Sequence, residues 1–562
     1  MTVPAPAMGH PWLSDYPSDV SATATPSHPD ALSRFRASAA AASGRAAVLY
    51  FDRSLSYGEL DRMSDALAVA LLERGFAAGD RLAIYLQNMP QFPIAVLATW
   101  KVGGIAVTIN PMNREYELAK LLADAEPKAM ICLDSLRDNV TARLPADVAK
   151  PPIVISTSAF DYQARDDARI FAGMDRNIAT DSDDLRRIID QYGGRKPSFL
   201  KLEADDLAFI VYTSGTTGQP KGAMITHGNV AHLTEAHRAW YALREGAPVL
   251  ATAPLFHITG LVGHMALAWA IAAPLILCYR FEPGAVLDAI AEHRPVFTAN
   301  AVTAYIALMN QADLHPERLA SLTTVVSGGA PVPPSIAAQV RQKLGWHVLN
   351  GYGLTETAAG VLIMPRDKPW RVDPVSGALA IGTPISGVEA WIAAENGTRL
   401  GHDEIGEIVL AGAMVSPGYW RKPIETAESM QRDGFRTGDV GFMDVDGWFY
   451  IVDRKKDLIS TSGYKVWPRE VEDVLYSHPA VREVAVVGVH DSYRGEIVKA
   501  VLSLRNGKSV SGKELATWCR ERLAAYKVPR VVEFVEELPK NASGKILRRM
   551  LRKPPGEDSP AK

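Results

Sequence analysis

The chain has 562 residues, too many for one simple core, so two or more domains are expected. Its 47% hydrophobic and 22% charged residues are those of a water-soluble globular protein. A net charge of −3 leaves no broad basic surface and argues against nucleic acid as a partner. The three cysteines, Cys132, Cys278 and Cys519, are far apart and form no CxxC pair. That argues against a disulfide framework or a zinc site and implies a reducing compartment, the cytoplasm.

Residues 1–30 are rich in Ala, Pro, Ser and Thr and lack a basic start followed by an apolar core. They read as a flexible segment wrapped loosely on the surface, not as a signal peptide. From Ser56 the pattern alternates: helix over 57–74, strand 81–86, helix 90–102, strand 105–109, helix 115–124, strand 129–133. Such alternation predicts layered α/β structure with mainly parallel sheets. Residues 134–205 are less regular and read as a surface insertion. The stretch 260–278 carries no Asp, Glu, Lys or Arg and nears the length of a membrane span. His264 and Pro274 interrupt it, so the expectation is a buried helix over 261–272, then a strand over 275–279.

After Pro365, shorter Gly and Pro spacing with runs at 407–410 and 448–452 predicts a small β-rich subdomain. The charge run Asp453-Arg-Lys-Lys-Asp457 marks a boundary. Beyond it, helices at 471–476 and 513–523 and strands at 481–489 and 499–504 predict a compact α+β unit. The expected partition is 31–455, 456–552 and a disordered tail at 553–562.

The most informative segment is Ile210-Val-Tyr-Thr-Ser-Gly-Thr-Thr-Gly-Gln-Pro-Lys-Gly222. Hydroxyls and unhindered backbone N–H groups bind phosphate oxygens, glycine permits close approach, and Lys221 adds a cation. An apolar strand leading into this loop delivers a phosphate cradle. It is not a Walker A sequence, because Gly222 follows Lys221. Ser327-Gly-Gly-Ala-Pro331 follows a strand-like run, and its small residues let a flat ring lie against the backbone; alone it reads as an ordinary strand-end turn. Asn350-Gly-Tyr-Gly-Leu-Thr-Glu-Thr357 offers Tyr352 for stacking between Gly351 and Gly353, the Thr355 hydroxyl, and Glu356 as a hard oxygen ligand suited to Mg²⁺ beside phosphates. Phe435-Arg-Thr-Gly-Asp439 ends in a carboxylate that can accept two hydrogen bonds from a ribose diol. Pro539-Lys-Asn-Ala-Ser-Gly-Lys-Ile-Leu-Arg-Arg549 carries Lys545 on a Gly-containing loop.

In order and spacing, these segments resemble the adenylate-forming superfamily: acyl-CoA synthetases, luciferases and peptide-synthetase adenylation domains. The resemblance spans about residues 30–552 and is closest to bacterial medium- and long-chain fatty-acyl-CoA ligases. It implies an α/β fold: a large N-terminal domain of layered sheets with a β-rich subdomain, and a small mobile α+β C-terminal domain. It implies conversion of a small-molecule carboxylate to acyl-AMP, then acyl-CoA, with ATP, Mg²⁺ and coenzyme A. By motif position, Thr213, Ser214, Gly215, Thr216, Thr217, Gly218 and Lys221 hold the ATP phosphates, and Thr217 and Glu356 bind the metal. Gly328, Gly329, Ala330, Asn350, Gly351, Tyr352, Gly353 and Thr355 surround adenine. Asp439 and Arg454 hold ribose, with Val452 beside them. Lys456 is the hinge, and Gly463 and Tyr464 line the pantetheine tunnel. Lys545 is the catalytic lysine, joined in catalysis by Thr217, Glu356 and His257. His257 matches the family's aromatic gate, and Gly260, Leu261, Met265, Gly329, Ala358 and Gly360 complete the acyl pocket. Small, uncharged residues at 358–362 favour an uncharged acyl group over an amino acid. Chain length, and linear against aromatic or branched, stay open. So do another acceptor such as a carrier protein, a non-catalytic acyl-ligand sensor, peripheral membrane contact, and monomer against homodimer. No carrier-protein phosphopantetheine signature follows Arg552.

Overall fold

The computed structural model describes residues 10–552 except 178–182, 214–219, 313, 376, 455–456, 462–463, 492–493 and 542–543, and except the side chains of Asp453, Arg454 and Lys465. Everything below concerns the described residues. Ser56 caps the helix Tyr57–Glu73: its Oγ accepts from Glu59 N at 3.2 Å, while Glu59 Oε2 accepts from Ser56 N at 2.7 Å. This reciprocal pair satisfies two helix-end donors and fixes where the helix starts. The helices Gln91–Lys101 and Glu115–Ala125 alternate with the strands Arg81–Tyr85, Ile105–Thr108 and Ala129–Leu133, and these strands are nearly fully buried. Continuous apolar strands of this kind belong to parallel sheets covered on both faces.

Those strands form the centre of a seven-stranded sheet. Its order is Asp183–Asp184, Ile153–Thr157, Ala129–Leu133, Arg81–Tyr85, Ile105–Thr108, Leu207–Thr213 and Lys221–Thr226. Only the last pairing is antiparallel. The region 134–205 is therefore not a surface insertion. Ile153–Thr157 joins the sheet in parallel register with Ala129–Leu133, and Ile155, Ile170, Phe171 and Leu185 enter the main core. Their short apolar runs, separated by charged turns, hide a strand that burial makes plain.

A second, nine-stranded sheet runs parallel through Val249–Ala251, Phe297–Asn300, Thr324–Ser327 and Val348–Leu354. It then turns back antiparallel through Ala359–Ile363. The expected helix over 261–272 is replaced by Ile258–Gly260, a π-helical turn Leu261–Ala266 and Leu267–Ala270, and the strand shortens to Leu275–Leu277. None of the described helices is long and apolar enough to cross a membrane.

A β-rich subdomain follows, with Gly434–Met443 between Gly406–Gly412 and Phe449–Arg454. A further sheet built on the long pair Val481–Asp491 and Gly495–Leu504 is flanked by the helices Pro468–Tyr476 and Gly512–Arg520. The segment read as a loose N-terminal wrap is pinned from residue 10. Trp12 is buried, Tyr16 Oη donates to Pro384 O at 2.6 Å, and Asp15 accepts from Lys368, Arg371 and Trp448 at 2.8, 2.9 and 2.6 Å.

Candidate active site

The antiparallel pair Leu207–Thr213 and Lys221–Thr226 places Thr213 opposite Lys221, with Thr213 Oγ1 donating to Lys221 O at 3.3 Å. Ser214, Gly215, Thr216, Thr217 and Gly218 lie outside the described residues. The return strand is fastened to the loop before residue 421: Met224 N donates to Gly418 O at 2.9 Å and Trp420 N to Gly222 O at 2.7 Å. Tyr419 is thereby set beside Lys221, whose Nζ lies 5.1 Å from its ring centroid. Tyr419 Oη donates to Glu356 Oε1 at 2.6 Å, and Ser416 N donates to Glu356 O at 2.7 Å. Burial, and then the Glu356 carboxylate, push the Tyr419 phenol upward, so it remains a donor. Tyr419 joins three segments far apart in sequence, yet in the sequence it follows Pro417-Gly418 and reads only as part of a turn.

Tyr352 sits in the strand Val348–Leu354, and its Oη donates to Asp439 Oδ2 at 2.7 Å. Asp439 lies opposite Arg454 in the pairing of Gly434–Met443 with Phe449–Arg454. Thr355 and Glu356 follow Tyr352 in a tight 3-10 turn. Gly353 cannot carry a side chain, because a Cβ there would stand 1.9 Å from Ala359 O. Beside Gly351, a Cβ on Gly328 would meet Gly351 O at 3.1 Å. At Gly329 the backbone is left-handed (φ +76°) and the space beyond it is open, next to the partly exposed Ala330. Two residues of this group have their side chains engaged within the protein. Asn350 Nδ2 donates to Ala380 O at 2.8 Å, which ties its amide into the sheet edge. Val452 packs among Met364, Ala378, Phe442 and Tyr450 in a small apolar cluster.

The turn after Glu356 is strained: Ala358 and Ala359 have φ of 57° and 151°. Thr357 braces it, accepting from Leu354 N at 2.9 Å and donating to Ala359 O at 2.7 Å. Strain of this kind persists only where the surroundings over-determine the backbone. Across from it, His257 starts the turn Ile258–Gly260. A Cβ on Gly260 would stand 2.1 Å from Pro254 O, so only glycine lets this turn close. Leu261 and Met265 follow in the π-helical turn and are fully buried. Gly360 O is 2.8 Å from the ring nitrogen Nε2 of His237, a buried residue that the sequence reading overlooked because it lies in the amphipathic helix His227–Trp240.

Lys545 belongs to a tight loop in which Lys545 N donates to Asn541 Oδ1 at 2.8 Å and Asn541 N to Lys545 O at 2.9 Å. The loop is docked on the large domain: Thr303 Oγ1 donates to Gly544 O at 3.0 Å. Burial first, then the Lys545 ammonium, hold the His257 imidazole down at about 4. Lys545 and His257, distant in sequence, are thus electrostatic neighbours. Tyr464 is exposed and stacked on Tyr526 with centroids 4.7 Å apart. Arg454 is described only in its backbone, and Lys456 and Gly463 lie outside the described residues.

Residues 35–420 match the AMP-binding enzyme family, and residues 470–545 match the AMP-binding enzyme C-terminal domain. The chain is 36% identical to a long-chain-fatty-acid–CoA ligase of Bacillus subtilis, over 96% of this chain and 97% of that one. It is 34% identical to a feruloyl-CoA synthase of an Amycolatopsis species, over 90% of this chain and 95% of that one. ATP-bound MatB from Rhodopseudomonas palustris superposes with a TM-score of 0.80 at 29% identity, over 93% of this chain and 98% of that one. The chain belongs to the AMP-binding enzyme family, as an AMP-forming acyl-CoA synthetase that activates a carboxylate with ATP through acyl-AMP to the CoA thioester.

Proposed function

We propose that the carboxylate is a medium- or long-chain fatty acid. The observation that carries this is the full-length likeness to the Bacillus subtilis fatty-acid ligase. It is joined to an apolar wall: Leu261, Met265 and Ala358 are buried and uncharged, and no carboxylate among them would receive an amine. An aromatic acid is the second reading, favoured by the likeness to the feruloyl-CoA synthase.

A carboxylate is a poor acyl donor because oxide would have to leave. Its oxygen attacks the α-phosphorus of ATP, a P–O bond forms, and pyrophosphate departs with the electron pair. The two anions repel each other, and Lys545, held by Thr303 at its loop and adjacent to His257, is the cation assigned to their meeting point. Lys221 is assigned to the β- and γ-phosphates, Asp439 and Tyr352 to the nucleoside. The CoA thiolate then attacks the mixed anhydride and AMP leaves. During adenylation His257 stays neutral, because burial first and the Lys545 charge second disfavour an imidazolium.

The donor set fits Mg²⁺. Among the described residues no cluster of three His, Cys, Asp or Glu exists that would make an all-protein metal cage, and Glu356 is a single oxygen ligand held in place by Tyr419. Mg²⁺ characteristically uses one or two carboxylates with phosphates and water. Glu356 and Thr217 would hold it, and it would offset the triphosphate charge. The 31–455 and 456–552 units are assigned as the two bodies that move between the half-reactions, about Lys456.

Pyrophosphate release across a panel of carboxylates, with and without CoA, tests the proposal. Single-turnover release without CoA, and highest kcat/KM for medium- or long-chain fatty acids with CoA, are expected. Preference for ferulate or benzoate overturns the substrate assignment. Binding of acids without any pyrophosphate would point to a sensor.

A further inference from the structure

The helix Pro468–Tyr476 carries two polar arms pointing in different directions. One is Arg469, which is 4% exposed and reaches out of the C-terminal domain into the large one. Its Nη1 donates to Ile451 O at 2.9 Å, and its Nη2 approaches Leu379 O at 3.5 Å. Ile451 lies in the strand that pairs with the Asp439 strand. The other arm is Glu472. Its Oε1 accepts from Val486 N at 2.7 Å and its Oε2 from Arg548 Nη2 at 2.6 Å. Arg548 stands three residues beyond Lys545. One rigid helix therefore joins the nucleotide-side strand of the large domain to the segment that carries Lys545.

We propose that Arg469 is a positioning residue that holds the C-terminal domain in the orientation presenting Lys545, and that releasing Arg469 from the Ile451 carbonyl is part of the change to the thioester-forming orientation. This rests on the two-orientation reading above. A buried guanidinium needs acceptors, because stripping it of them costs the full desolvation of a charge. In this orientation the carbonyls of Ile451 and Leu379 serve. Asp473, one turn along the same helix, has Oδ2 at 3.9 Å from Arg469 Nε, too far for a hydrogen bond but within an ion pair. It is the acceptor that travels with Arg469 when the domain turns away. Burial, opposed by Arg469, pushes the Asp473 carboxyl up to about 7, as befits a group not yet closely paired. Two alternative sets of acceptors make the contact bistable, which a domain switch requires.

The test is Arg469→Met, which keeps an apolar stem and removes the donors, beside Arg469→Lys and Thr303→Val. Each variant is assayed for single-turnover pyrophosphate release and, separately, for thioester formation from supplied acyl-adenylate, with its melting temperature recorded. Arg469→Met is expected to slow pyrophosphate release about tenfold and to leave transfer from acyl-adenylate unchanged or faster, a partition that mere loss of stability would not produce. Arg469→Lys is expected to lie between it and the parent. Thr303→Val, which removes the other contact behind Lys545, is expected to shift the partition in the same direction. Equal loss in both half-reactions, or no loss in either, overturns the proposal. If the parent enzyme releases no pyrophosphate with any carboxylate, the reading beneath it fails instead, and the two failures are distinct.

Discussion

At Lys545 a charge and its delivery system can be separated. The side chain is assigned to the contact of carboxylate and α-phosphate, while Thr303, Asn541 and Gly544 only hold the loop. Lys545→Ala is therefore expected to slow adenylation by about 10²-fold or more, the usual scale for deleting a preorganised charge contact, and to spare thioester formation from supplied acyl-adenylate. Stopped-flow pyrophosphate release against thioester formation measures the split; equal losses would remove Lys545 from this role. At Glu356, Tyr419 occupies one carboxylate oxygen. Glu356→Gln keeps an acceptor for Tyr419 and removes the charge, so the Mg²⁺ concentration for half-maximal rate is expected to rise about tenfold, as for a metal site losing a ligand or its support. An unchanged Mg²⁺ titration would detach Glu356 from the metal.

At the scale of elements, the hairpin Val348–Leu354 with Ala359–Ile363 matters most, because one turn presents Tyr352 on its strand and Glu356 at its tip. Its closure depends on Gly353, where a Cβ would collide with Ala359 O at 1.9 Å. Gly353→Ala is expected to destabilise the fold by about 1–3 kcal/mol, the range for overpacking, and to impair Mg²⁺ and nucleotide binding together. Chemical denaturation and nucleotide titration check this; full stability with normal binding would mean that the hairpin relaxes freely. The sequence made this glycine pair conspicuous but not its reason. Likewise Gly260 was read only as a member of the acyl pocket, whereas its collision with Pro254 O and the π-helical turn after it arise from packing against the neighbouring loop.

For the whole molecule, acid stability follows from buried histidines. His227 and His237 are pushed down to about 4 and His264 to about 3, each chiefly by burial. Their folded values lie below the unfolded value near 6.5. Between about pH 6.5 and 4 the unfolded chain binds more protons, so stability rises with pH and is lost as pH falls through that window, by up to about 1.4 kcal/mol per pH unit for each group. Urea midpoints are expected to drop between pH 7 and pH 5, and His237→Gln to lessen the slope. A flat profile over that range would contradict the burial argument.

Local sequence determined what local chemistry requires. The Gly/Thr loop leading to Lys221, the Gly351 and Gly353 pair, the alternation of apolar strands with capped helices, and the lysine on a Gly-containing loop are all short-range patterns, and each is readable because its physical cause lies within a few residues. Tertiary structure decided what no window of sequence contains. It set Tyr419 against Glu356 and Lys221, joined Tyr352 to Asp439, and brought the Lys545 loop to Thr303 and His257. It drew residues 153–157 into the sheet and sent Arg469 across the domain interface. These contacts link residues tens to hundreds of positions apart, and their partners are chosen by the packing of whole layers, which leaves no trace in the periodicity or composition of either segment alone.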